Sequence, residues 1–147
     1  MKLILISLML LLVNCPGQDS NQTSNRPAEI PMDREFELKI GQEAMIKGER
    51  LKAKFISVLE DSRCPKGVQC IQAGQGRVAV QLKNGNKKPE TVELSTAATG
   101  QEMDFNGYQV KLISLNPYPI MDRPLKPADY VLTLTVKKGQ SSGTATQ

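Results

Sequence analysis

Histidine and tryptophan are both missing from this chain of 147 residues. Without histidine the commonest general base is gone, and Ser–His or Cys–His activation of a nucleophile is excluded. Zinc takes four nitrogen or sulfur ligands, and three cysteines with no histidine make a poor set. Aromatics are scarce, and no dense basic stripe interleaves with them, which argues against nucleic acid. Gly74-Gln75-Gly76 lacks the strand-to-helix setting of a phosphate loop. Asp61, Asp104 and Asp122, which the pattern assigns to loops, lack EF-hand spacing. The sequence therefore predicts no catalytic residue, no metal and no cofactor. A carboxylate or Ser–Lys enzyme is the less favoured alternative.

Long apolar runs are also few. Leu3 to Val13 is apolar except for Ser7 and follows the positive start Met1-Lys2. Such a run is too short for a hydrocarbon core of about 30 Å and reads as a signal h-region over residues 1–14. It ends in Leu12-Val13-Asn14-Cys15, and Pro16-Gly17 then breaks any helix. This resembles a bacterial lipoprotein signal, in which the cysteine is acylated and becomes the first mature residue. The resemblance implies lipidation of Cys15 and a membrane lipid as first partner, at the outer membrane or the periplasmic face of the envelope. The alternative is cleavage without lipid, giving a soluble secreted or periplasmic protein. No Ala-x-Ala site favours it.

Three cysteines are an odd number for an exported protein. Acylating Cys15 leaves Cys64 and Cys70, and an oxidising compartment favours a disulfide between them over free thiols or metal binding. Removing the leader costs only Lys2 among 19 basic residues, so 18 basic against 15 acidic leaves +3. That excess bears on solubility more than on partners.

Residues 15–33 are rich in Asn, Gln, Ser and Pro and read as a disordered tether. Gly139 to Gln147 reads as a frayed tail. Between them, over 34–138, the apolar period is two. Phe36, Leu38 and Ile40 alternate with charged residues, and Leu51, Ala53, Phe55, Ser57 and Leu59 alternate through a longer strand in which Ile56 and Val58 add burial on the second face. Val78–Leu82, Val92–Leu94, Tyr108–Leu112 and Tyr130–Val136 repeat the pattern, with Val, Ile, Thr and aromatics where pleated sheets favour them. Asn84-Gly85 and Asn106-Gly107 are hairpin signals, because a type I′ turn needs two positive φ values. These features predict a single all-β domain of seven or eight strands, an antiparallel β-sandwich, Ig-like or a partly open barrel.

Two segments stand out as binding candidates. The first runs from Glu60 to Gly74, where Pro65 and Gly67 prevent regular structure inside the Cys64–Cys70 loop. Asp61 and Ser62 are placed to cap the turn, and Arg63 to pair with Asp61 or Glu60. Either this is a staple holding two strands in register, or a preorganised recognition loop presenting Asp61, Ser62, Arg63, Pro65, Lys66 and Gln69. The second is Asn116 to Pro127, with four prolines in twelve residues. It reads as a stiff, extended crossover that either packs over the end of the sandwich or offers Tyr118, Ile120 and Met121, with Leu125, to a partner. Lys83, Lys87, Lys88, Lys137 and Lys138 protect strand edges, or else bind anionic polysaccharide or lipid headgroups.

The pattern D-S-R-C-P-x4-C-x2-A-G, from Asp61 to Gly74, resembles the signature of a family of small exported bacterial proteins, many of them predicted lipoproteins. The likeness runs from about Phe36, through Gly41-Gln42, to Asn116-Pro117-Tyr118-Pro119 and Tyr130. Gln72 stands where that family tends to place tryptophan. The resemblance implies export and the disulfide, and no activity comes with it. The expectation is a membrane-anchored, non-catalytic binding or structural module, facing an envelope or host protein. The alternative is an inhibitor of an exported protease or hydrolase.

Overall fold

The computed structural model describes residues 27–139. The leader, Cys15, most of the tether and the tail from 140 onward lie outside the described residues. Nine strands occur among the described residues: β1 (Ala28–Ile30), β2 (Glu35–Lys39), β3 (Glu43–Ile46), β4 (Leu51–Asp61), β5 (Gly76–Asn84), β6 (Glu90–Ser95), β7 (Glu102–Phe105), β8 (Tyr108–Asn116) and β9 (Val131–Lys138). They form two sheets, β1-β3-β4-β5-β6 and β2-β9-β8-β7. Apart from β1, which joins β3 in parallel, every pairing is antiparallel. The fold is an all-β sandwich, and neither sheet closes into a barrel.

Period-two patterning explains the layers. Leu51, Ala53, Phe55, Val78, Val80 and Leu82 point inward from one sheet, and Val110, Leu112, Leu132, Leu134 and Val136 from the other, each 1 % exposed or less. Burial on this scale is the main favourable contribution to folding, roughly 1.5–3 kcal/mol for each large aliphatic side chain.

Several expectations need correction. Ala28–Ile30 falls in the stretch read as tether, yet it forms an edge strand, with Ile30 packed on the core. The sandwich thus begins before residue 34. The cue was hidden because Ile30 and Met32, both packed on the core, are split by Pro31 and preceded by a polar stretch. Asn106-Gly107 makes the two-residue turn, with φ of +47° and +83°. Asn84-Gly85 does not: Asn84 still pairs with Leu51, only Gly85 has positive φ, and the connection runs on to Glu90. Asp61 ends β4 and Asp104 lies inside β7, so of the three carboxylates placed in loops only Asp122 is in one.

Strict alternation along β4 also fails. Register shifts between Phe55 and Ser57 and between Val58 and Glu60 mark two bulges. They put Val58 against the core and leave Leu59 50 % exposed. A bulge adds one residue to one strand and turns the following side chains to the other face. Two in succession restore the phase, so Asp61 faces the opposite sheet.

Candidate functional site

The two candidate segments come together at one end of the sandwich. Residues 62–75 join β4 to β5 and residues 117–130 join β8 to β9, so each is a long hairpin between neighbouring strands. The proline-rich segment is therefore no crossover. Nor is it extended throughout: it turns back at Met121-Asp122, where Asp122 has φ +63° and Ile120 bridges to Arg123. The hairpins come from different sheets and touch directly. The Lys66 backbone N–H donates to the Pro119 carbonyl at 3.0 Å, and Lys66 bridges in parallel to Ile120.

Arg63 holds this junction from within. Its side chain and that of Asp61 are only 6 % and 8 % exposed. Nε and Nη2 donate to the two Asp61 carboxylate oxygens, both at 2.7 Å, the bidentate arrangement that suits guanidinium to carboxylate. Nη1 donates to the Leu115 carbonyl at 2.5 Å, and Nη2 also reaches the Pro117 carbonyl at 3.1 Å. The Tyr118 ring lies over the guanidinium, 5.0 Å from its centroid, while Lys66 Nζ stands 5.7 Å from the same ring. The Tyr130 hydroxyl donates to Asp61 at 3.0 Å. Burial works to raise the Asp61 carboxyl, but Arg63 and Tyr130 outweigh it and hold the group below the usual carboxylate range. Tyr130 is pushed up by its burial and by the bond to Asp61. Asp61 and Arg63 are thus struts inside the end, not contact residues on it.

The outer shell is shaped by backbone constraints. Cys64 and Cys70 form a disulfide with Cα atoms 5.9 Å apart. The Ser62 hydroxyl both accepts from the Gln75 N–H and donates to the Gln75 carbonyl, each at 3.1 Å. Gly67 turns the loop at φ +85°. A Cβ at Gly74 would sit 1.5 Å from the Ser62 carbonyl oxygen, so only glycine fits that position. Lys66 and Gln69 are exposed and Pro65 is half-buried.

Beside the exposed Lys66, Gln69, Asp122, Arg123 and Lys126, this end presents large apolar side chains. Among the described residues, the exposed large hydrophobics are Leu59 at 50 %, Ile71 at 103 %, Tyr118 at 42 %, Ile120 at 40 % and Met121 at 54 %. All five belong to the end of β4 or to these two hairpins. Leu125 differs, being half-buried against the core. The pattern of alternation had placed Leu59 inside, and Ile71 was passed over because a lone isoleucine among Gln and Ala carries no periodicity.

A second polar cluster closes the other end. Glu49 accepts from the Tyr108 hydroxyl at 2.6 Å and from Lys138 Nζ at 2.5 Å, again linking the two sheets. Glu49 is held below the ordinary carboxylate range by Lys138 and Tyr108. A shallow hollow of about 280 Å³ lies on the outer face of the second sheet, where Glu35, Glu102, Gln109, Lys111 and Lys137 surround Thr135. Lys111 and Glu102 pair there at 3.6 Å. Among the described residues no three acidic or cysteine side chains gather as metal ligands, and no helix is long and apolar enough to cross a membrane.

No family model matches this chain, and no curated protein or solved structure matches it either.

Proposed function

We propose that this chain is an exported, lipid-anchored, non-catalytic module of a bacterial envelope that makes contact through the end built from residues 62–75 and 117–130. The observation that carries the reading is the collection of Leu59, Ile71, Tyr118, Ile120 and Met121 on that end, exposed on a framework fixed by the Arg63–Asp61 pair and the disulfide. Exposed apolar side chains scattered over a surface need no explanation, whereas all the large ones exposed among the described residues belong to one end, on preorganised loops, and that points to an interaction surface. The disulfide supports export, because such bonds persist in oxidising compartments.

The test is site-specific photocrosslinking in intact cells. A photoreactive phenylalanine analogue replaces Ile71 in one variant and Asn86, exposed in the β5–β6 connection at the far end, in another. Adducts are expected from position 71 and not from 86. Adducts from neither, or equally from both, contradict the reading.

A further inference from the structure

We propose that the occupant of this end is the bilayer itself: the two hairpin tips insert Ile71, Tyr118 and Met121 into the headgroup–acyl boundary of a phospholipid membrane. The inference rests on the reading of that end as the contact face and names what it contacts.

Three observations carry it. The first is the direction in which the chain enters the sandwich. β1 is parallel to β3 and β3 is antiparallel to β4, so the N-terminal end of β1 faces the end of β4 where Asp61 begins the disulfide hairpin. Ala28 stands at the height of Ala53, which pairs with Leu82, and Asp61 pairs with Gly76, six residues further along β5, or about 20 Å at strand rise. Twelve residues lie between Cys15 and Ala28, thirteen Cα-to-Cα steps in all. A chain of that many steps can span at most about 43 Å, which allows an acyl chain at Cys15 and the hairpins to occupy one membrane plane.

The second observation is shape. Ile71, Tyr118, Ile120 and Met121 are exposed on two hairpins and Leu59 at the end of β4, whereas a hollow of about 280 Å³ lies elsewhere, on the face of the second sheet. Protein partners reward apolar anchors that fill pockets, or offer pockets for anchors. A fluid boundary needs no complementary shape.

The third is charge. On the two hairpins Lys66, Arg123 and Lys126 face Asp122 and Asp129, and on the flank Arg77 is shared between Glu60 and Glu93. The balance is close to neutral, so attraction to anionic headgroups is not the driving term. Apolar burial is, with Tyr118 at the interfacial level that tyrosine favours and Lys66 able to extend its ammonium outward.

The absence of tryptophan supplies the experiment. Full-length protein extracted from membranes is prepared as Ile71→Trp and, separately, as Asn86→Trp, and reconstituted into vesicles of phosphatidylcholine, alone or with about one-third phosphatidylglycerol. Leader and anchor are common to both variants, so only the position of the reporter differs. Ile71→Trp is expected to shift its emission to shorter wavelength. It should be quenched about twofold by lipids brominated roughly 5–10 Å below the surface, in both vesicle types and at high salt. Asn86→Trp should stay at the wavelength of an exposed indole. Adding Tyr118→Ser and Met121→Ser to the Ile71→Trp variant should remove most of the quenching. An exposed, unquenched Ile71→Trp overturns the proposal, as does an equal response from Asn86→Trp. Protein adducts at position 71 without a vesicle response would retire the bilayer and keep the contact face. Absence of all adducts would retire the contact face itself.

Discussion

Arg63 commits Nε, Nη1 and Nη2 to Asp61, Leu115 and Pro117, so removing it takes the guanidinium donors from two carbonyls and leaves a buried carboxylate with no counter-charge and the Tyr130 hydroxyl as its side-chain donor. Breaking a buried pair by deleting one partner costs about 3–5 kcal/mol, because the remaining charge is stranded. Arg63→Met should lose that much in urea unfolding, and lysine should not restore it, having no planar fork to match the carboxylate. Asp61 adds a pH signature. Its folded-state pKa lies below the unfolded value of about 3.9, so its contribution is present above that pH and fades as pH falls through the lower folded value. The stability gap between wild type and Asp61→Asn should be full near neutrality and shrink below about pH 4. A gap that stays constant into strong acid would mean that the pair is not ionised as described. A carboxylate partner for Arg63, at Asp61 or Glu60, was legible in the sequence, since only Ser62 separates Arg63 from Asp61. Its burial was not. The acceptors Leu115 and Pro117 and the donor Tyr130 lie more than fifty residues away, and no local pattern announces a backbone carbonyl as a ligand.

At the scale of elements, the strands were readable because one face of each is buried and the period of two writes that face into the sequence. Where the period slips, the reading slipped with it. β4 carries two bulges and β8 one, between Leu112 and Ser114. The β8 bulge leaves a trace, since the buried residues pass from Val110 and Leu112 to Leu115. In β4 the insertions cancel in phase, and only the exposure of Leu59 betrays them. β1 escaped because it supplies backbone hydrogen bonds more than side chains. The pairing of the two hairpins is a tertiary fact that adjacency in sequence could not supply. The disulfide closes a loop of seven residues from Cys64 to Cys70. In the chain-entropy treatment this is worth about 2.4 kcal/mol. Ser62, Gln75 and the Lys66–Pro119 bond also fix the loop. The double variant Cys64→Ser, Cys70→Ser should therefore keep its sheet signal in circular dichroism and lose about that much stability in urea. A wholly unfolded double variant would show that the loop depends on the crosslink alone.

For the molecule as a whole, the two polar clusters divide the work of joining the sheets. Glu49, Tyr108 and Lys138 tie one end, and Asp61, Arg63 and Tyr130 the other, above and below a core of aliphatic side chains. The end opposite Glu49 bears the apolar tips, and the chain enters its first strand from that side. A module built this way suits attachment through an acylated Cys15 and contact by its hairpins, provided that the chain is exported and Cys15 acylated. Intact mass of the protein extracted from membranes tests that condition most directly, run with an alkylating agent before and after reduction. The account predicts a chain that starts at Cys15, carries the added mass of fatty acyl groups, and takes up two alkyl groups only after reduction. An unprocessed start at Met1 with all three thiols open to alkylation would contradict it.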